Sequence, residues 1–103
     1  MLSYWTKNLS QSENEIRRSE KFVLKAVGHK NILVPRGDQV SKTNGLVVIN
    51  STAAFVWNLL EEPKTNNNIV REVSRYFSID RNVIQEDINF FLNEMKTIGA
   101  LKF

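Results

Sequence analysis

Few residues in this chain have the types and spacing that chemistry needs. Histidine occurs once, at His29, and cysteine does not occur. Without cysteine there is no disulfide, no thiolate ligand and no thiol nucleophile. His29 follows Gly28 in a stretch that reads as a hairpin turn, and it has no acidic neighbour to orient it as a base. The pair Glu61-Glu62 stands directly before Pro63, at a helix end, and reads as solvated. Asp87 lies in a long amphipathic segment, but nothing near it in sequence completes an acid–base pair. Gly-rich phosphate loops, H-E-x-x-H and G-x-S-x-G do not occur. These residues predict no catalytic site, no metal site and no cofactor, and so a binding protein rather than an enzyme.

The elements that would carry a binding surface are legible from periodicity. Lys21–Val27 ("KFVLKAV") and Lys30–Pro35 ("KNILVP") are rich in β-formers and flank Gly28-His29, which predicts a tight hairpin. Pro35 has no N–H and ends the ladder on its side. Arg36–Gly45 is a loop by composition and closes on the turn dipeptide Asn44-Gly45. A third strand, Leu46–Ile49, then runs straight into Asn50, a good N-cap. In the first helix, about Ser51–Glu61, Ala53, Val56, Trp57 and Leu60 fall at i, i+3, i+4 and i+7, with Phe55 and Leu59 as a second stripe. That helix is apolar on most sides and belongs at the centre of the core. Thr65 caps a second helix, about Asn66–Phe77, whose buried face is Ile69, Val70, Val73, Tyr76 and Phe77. Asp80 caps a third, about Arg81–Ile98, with the stripe Ile84, Ile88, Phe91, Met95 and Ile98 and with Gly99 at C′. "ALKF" at the end suits a last short strand.

The 103 residues fit one domain of ordinary globular composition. Residues 1–20 are polar without a period and read as a mobile or loosely docked segment, in which Tyr4-Trp5 is the one aromatic pair. Residues 21–103 are the folded domain. The order β-β-β-α-α-α predicts an α+β, winged-helix-like fold, a three-stranded antiparallel sheet backed by three helices. No secretory core and no long apolar run is present, which points to a soluble cytoplasmic protein without a membrane partner.

A net charge of +3 leaves nucleic acid open as a partner. A small winged-helix DNA-binding regulator is therefore the alternative reading, and the third helix argues against it. That helix carries Arg81 and Lys96 against Glu86, Asp87 and Glu94, and the flank beside its apolar stripe shows Val83, Asp87, Phe90 and Glu94. An apolar, acidic flank has the wrong sign for a phosphate backbone. It suits a peptide with apolar anchors.

Four stretches, "ILVPRG", "LVVINSTAAFVWNLLEE", "TNNNIVREVSRYF" and "VIQEDINFFLNEMKTIGAL", resemble the PqqD-like family. The resemblance runs from about Phe22 to Leu101. It is most specific at Ile49-Asn50, Ala53-Ala54, Trp57 with Leu60, Asp87, Phe91-Leu92 and Gly99. It implies a stand-alone recognition element for ribosomally made, post-translationally modified peptides. Such elements hold a precursor's leader as an added strand beside the third β-strand, in the cleft against the third helix. The implied peptide-binding residues are Leu46, Val47, Val48 and Ile49 of the strand, with Val83, Asp87, Phe90, Phe91 and Glu94 of the helix. The implied partners are the leader peptide and the enzymes that process it: a leader peptidase and a cyclase, as in lasso-peptide biosynthesis, or a radical enzyme.

Overall fold

The computed structural model describes residues 14–43 and 45–103. The elements are β1 (Glu15–Arg18), β2 (Phe22–Val27), β3 (Lys30–Pro35), α1 (Gln39–Lys42), β4 (Val47–Ile49), α2 (Ser51–Leu59), β5 (Lys64–Thr65), α3 (Asn66–Phe77), α4 (Arg81–Thr97) and β6 (Leu101–Lys102). The fold is α+β. The expected succession of three strands and three helices is present as β2, β3, β4, α2, α3 and α4, with four short elements added around it.

The capping chemistry sets where the three long helices begin. The Asn50 side chain accepts from the Ala53 N–H at 2.8 Å. Thr65 does the same for Asn68 at 3.2 Å, and Asp80 for Asn82 at 2.8 Å. Each cap satisfies one donor that a helix start leaves without a partner. The end of α4 is a Schellman turn. Gly99 has φ of 82°, Ala100 N–H donates to Met95 at 2.8 Å, and Gly99 N–H donates to Lys96 at 3.0 Å.

The core gathers on α2. Ala53, Ala54, Val56, Trp57 and Leu60 are buried there, against Ile69, Val70 and Val73 of α3 and Ile84, Ile88, Leu92 and Met95 of α4. Phe22, Leu33 and Ile49 close the core from the sheet side. A helix packed on two sides keeps only a narrow solvated strip, here Ser51 and Asn58, hence its sequence is apolar on most sides. Trp57 is 2% exposed, its ring lies 5.5 Å beneath the Arg18 guanidinium, and Arg18 also donates to the Trp57 carbonyl at 3.4 Å.

Several expectations are corrected. β1 falls inside residues 1–20, the stretch expected to be mobile or loosely docked, yet it is the central strand of a second small sheet of order β5-β1-β6. It buries Ile16, and Ser19 N–H continues the pairing to Ala100 at 2.8 Å. Two-residue partners on either side leave almost no period-2 signal, which is why this sheet is hard to see in sequence. Residues 1–13, with Tyr4-Trp5, lie outside the described residues, as does Asn44 of the Asn44-Gly45 turn. Tyr76 is not core: it is 68% exposed and stacks on Phe55 at 4.4 Å, while Phe77 packs edge-on against both rings. The buried stripe of α4 also turns by one residue, because Leu92 is buried and Phe91 only half-buried.

Candidate functional site

Local chemistry determines how far β4 extends and which way its polar groups point. In the hairpin, Phe22 to Val27 pair with Pro35 to Lys30, and Arg36 N–H donates to Lys21 at 2.8 Å. Antiparallel pairs alternate between hydrogen-bonded and non-hydrogen-bonded. The Lys21–Arg36 bond therefore makes Val34 and Ile32 face β2, and turns the backbone groups of Asn31, Leu33 and position 35 toward β4. Position 35 is proline, which has no N–H to offer there, and β4 stops at Val47. On β4, Val47 opposes Leu33, Val48 opposes Ile32 and Ile49 opposes Asn31. The same alternation commits Val47 and Ile49 to β3, and points the N–H and C=O of Val48 to the other side. No described strand lies there: the sheet order is β2-β3-β4, with β4 at the edge.

The open edge borders a concavity of about 590 Å³. Its walls are Val47, Val48, Ile49 and Asn50 on one side and Ile84, Ile88, Phe91 and Met95 on the other, with Ala53 and Val56 behind. Asp87, Phe90 and Glu94 stand on its helical wall. These three, with Phe91, recur at i, i+3/i+4 and i+7, so they form one face of α4. Phe90 is 67% exposed, a large apolar side chain held out beside an unfilled cleft.

Of the nine residues implied by the resemblance, Val47, Val48, Ile49, Asp87, Phe90, Phe91 and Glu94 line this concavity together. Leu46 and Val83 do not. Leu46 is exposed just ahead of β4, and Val83 is exposed on the first turn of α4, one turn before Asp87. Thr52 and Ile79 also line the cleft, beyond the nine expected. Ile79 carries a signal in the sequence: it is an isolated apolar residue in the short α3–α4 connection, where turn chemistry calls for polar residues.

Among the described residues that line the cleft, the ionisable side chains are the carboxylates of Asp87 and Glu94. Among the described residues no group of histidines and carboxylates stands close enough to hold a metal ion, and no helix is long and apolar enough to cross a membrane. His29 is exposed in the β2–β3 turn. What the cleft offers is the outward N–H and C=O of Val48 on the open edge, an apolar floor and two carboxylates.

Residues 32–101 match the family profile described as "Coenzyme PQQ synthesis protein D (PqqD)". Comparison with curated protein sequences finds no match. Two solved structures share the fold. One is TbiB1 in complex with the TbiA(beta) leader peptide, with a TM-score of 0.67, 22% identity, and 84% of this chain and 94% of that one covered. The other is the PqqD truncation of Methylobacterium extorquens PqqCD, described as a functional and stand-alone RiPP recognition element. Its TM-score is 0.70 at 16% identity, with 89% of this chain and 93% of that one covered.

Proposed function

Because the chain belongs to the family of coenzyme PQQ synthesis protein D, we propose that it is a non-catalytic recognition module. It binds the leader of a ribosomally made precursor peptide and presents that precursor to the enzymes that modify it. The observation that carries this reading is the unpaired edge of β4 lying beside an apolar cleft. An extended peptide that adds to a sheet edge gains affinity from main-chain bonds and specificity from pockets for its alternate side chains. The β4 edge and the α4 wall supply one of each. The TbiB1 relative is seen with a leader peptide, and the PqqD relative is described as a recognition element.

In the proposed complex the leader lies beside β4. The leader residue opposite Val48 exchanges both backbone bonds with it. The residues before and after that one turn their side chains the way Val47 and Ile49 do, into the cleft against α4. Leu46, Ile49 and Val83 frame the ends of the site, and Asp87, Phe90, Phe91 and Glu94 meet the inward side chains. The partners are the leader and the processing enzymes, a leader peptidase with a cyclase or a radical enzyme, acting in the cytoplasm. The DNA-binding alternative has no support in the cleft, whose helical wall is acidic and aromatic.

The test is a titration of isotope-labelled protein with the leader of a precursor peptide encoded beside its gene, followed by amide NMR. Saturable shifts at Val48, Asn50 and the Asp87–Glu94 face, with a salt dependence far shallower than that of a phosphate-backbone binder, are the expected result. Shifts confined to other surfaces, or steeply salt-dependent binding of duplex DNA in place of the leader, would overturn the proposal.

A further inference from the structure

We infer that the cleft selects cationic leaders: the segment it accepts places apolar side chains against Phe90 and Phe91 and brackets them with lysine or arginine. The inference rests on the proposed peptide-binding role of the same cleft, and names the chemistry of what that cleft takes.

Three observations carry it. Asp87 and Glu94 are the charged residues lining the concavity, and both are carboxylates. They sit two helical turns apart, about 10.5 Å along the axis, with the two phenylalanines between them. Among the described residues no cation comes within ion-pair distance of either carboxylate. Lys96, the cation nearest in sequence to Glu94, lies over the Phe103 ring, 4.4 Å from its centroid.

The third observation is that the local sign opposes that of the molecule. The chain carries a net charge of +3. Its cations gather elsewhere: a second concavity of about 620 Å³ holds Arg17, Arg18, Arg36 and Lys102 against Glu20 and Glu61. A net-basic protein that keeps cations out of its apolar cleft has a cleft tuned against acidic ligands.

The physical consequence follows from what an added strand does to those carboxylates. Covering the cleft strips water from their inner side, which costs free energy unless the incoming chain supplies a partner. A lysine or arginine does so while laying its aliphatic stem along Phe90. An aspartate or glutamate at the same position adds repulsion to the desolvation. Exposed pairs of this kind are each worth up to about fivefold in affinity. Two of them therefore separate a cationic from a neutral leader by up to about 25-fold, and an acidic one is disfavoured further.

A random-peptide display library selected against the intact chain tests this for any leader sequence. Three proteins are compared: the wild type, the double variant Asp87→Asn/Glu94→Gln, and the charge-reversed Asp87→Lys/Glu94→Lys. All the changed positions are exposed, and circular dichroism confirms folding. The expected result is enrichment of lysine and arginine around apolar positions with the wild type, loss of that bias with the neutral variant, and a switch to aspartate and glutamate with the reversed one. A synthetic cationic binder from the wild-type selection should lose about tenfold or more in affinity against the reversed variant. Apolar binders without charge bias, or a cationic bias that survives reversal, would overturn the inference and leave peptide binding standing. Failure to enrich any peptide whose binding β4-edge variants abolish would overturn both.

Discussion

Replacing Val48 with proline and, separately, Val47 with proline tests the binding mode on adjacent residues. The β3–β4 register gives them opposite roles: Val47 N–H bonds within the sheet, and Val48 N–H points to the open edge. Val48→Pro removes one backbone donor to the leader, worth about 0.5–1.5 kcal/mol net. Its ring also intrudes where an added strand must approach within about 4.8 Å. Together these weaken leader binding by about 2–3 kcal/mol, roughly 30- to 150-fold. The fold loses little, because residue 47 is already extended as the residue before a proline prefers. Val47→Pro instead orphans a β3 carbonyl at Leu33, a residue with no exposed surface. That costs about 1–3 kcal/mol for the carbonyl and more for the ring, enough to melt much of a small domain. Anisotropy with a labelled leader, alongside thermal melts by circular dichroism, reads both effects. A folded Val48→Pro variant with wild-type affinity refutes strand addition, and equal unfolding of both variants refutes the edge assignment. Val48→Ile, which keeps the donor and the β-propensity, should be nearly silent.

Other perturbations probe the rest of the molecule. Trp57→Ala empties the centre of the core and should cost about 3–5 kcal/mol, lowering Tm by more than about 10 °C in a melt; an unchanged Tm would show that its burial is not what holds α2. Phe90→Ala should leave the melt within about 0.5 kcal/mol of wild type while weakening leader binding by about 1–3 kcal/mol in the anisotropy assay. Tyr76→Ala should destabilise by about 0.5–1.5 kcal/mol despite its exposure, since it loses the stack on Phe55, and urea titration reads this directly. Asp38 accepts a hydrogen bond from Lys21 at 2.6 Å, and this bond, with the charges of Lys21 and Lys42, holds its carboxyl below the usual carboxylate range. Its small contribution is therefore complete above the unfolded-state pKa and disappears as pH falls through the lowered folded value. Urea midpoints of wild type and Asp38→Asn should differ near neutral pH and converge in acid.

Legibility in the sequence follows the strength of the local signal. β2 and β3 are visible because Gly28-His29 separates two β-rich runs, and Gly28 indeed takes φ of 62° at the turn. The starts of α2, α3 and α4 are visible because Asn50, Thr65 and Asp80 are good caps placed just ahead of periodic segments. The α4 stripe is one residue off at Phe91. Period counting locates a face to within about 100° per residue, and only the packing of α3 on α4 decides that Leu92 goes inward. β6 is visible as the last short strand expected in "ALKF", but β1 and β5 are hidden because each is held by a partner distant in sequence and contributes two to four residues. Within the site, the strand and the Asp87–Glu94 face are readable together only through the family resemblance. Periodicity alone does not say which helix flank meets which sheet edge, nor that Val83 falls beyond the end of the cleft.

The proline that ends β4 also governs time. With Val48 as the one β4 residue presenting both polar groups to an incoming strand, the backbone grip on the proposed leader would be brief, and its lifetime would depend on what fills the cleft. At an association rate near 10⁶ M⁻¹s⁻¹ and micromolar affinity, a bound peptide leaves in about a second. A longer edge would hold each precursor longer and would also invite other chains to pair along it. On the proposed role, a three-residue strand would let one molecule serve a succession of precursors, releasing each on the timescale of enzymatic turnover.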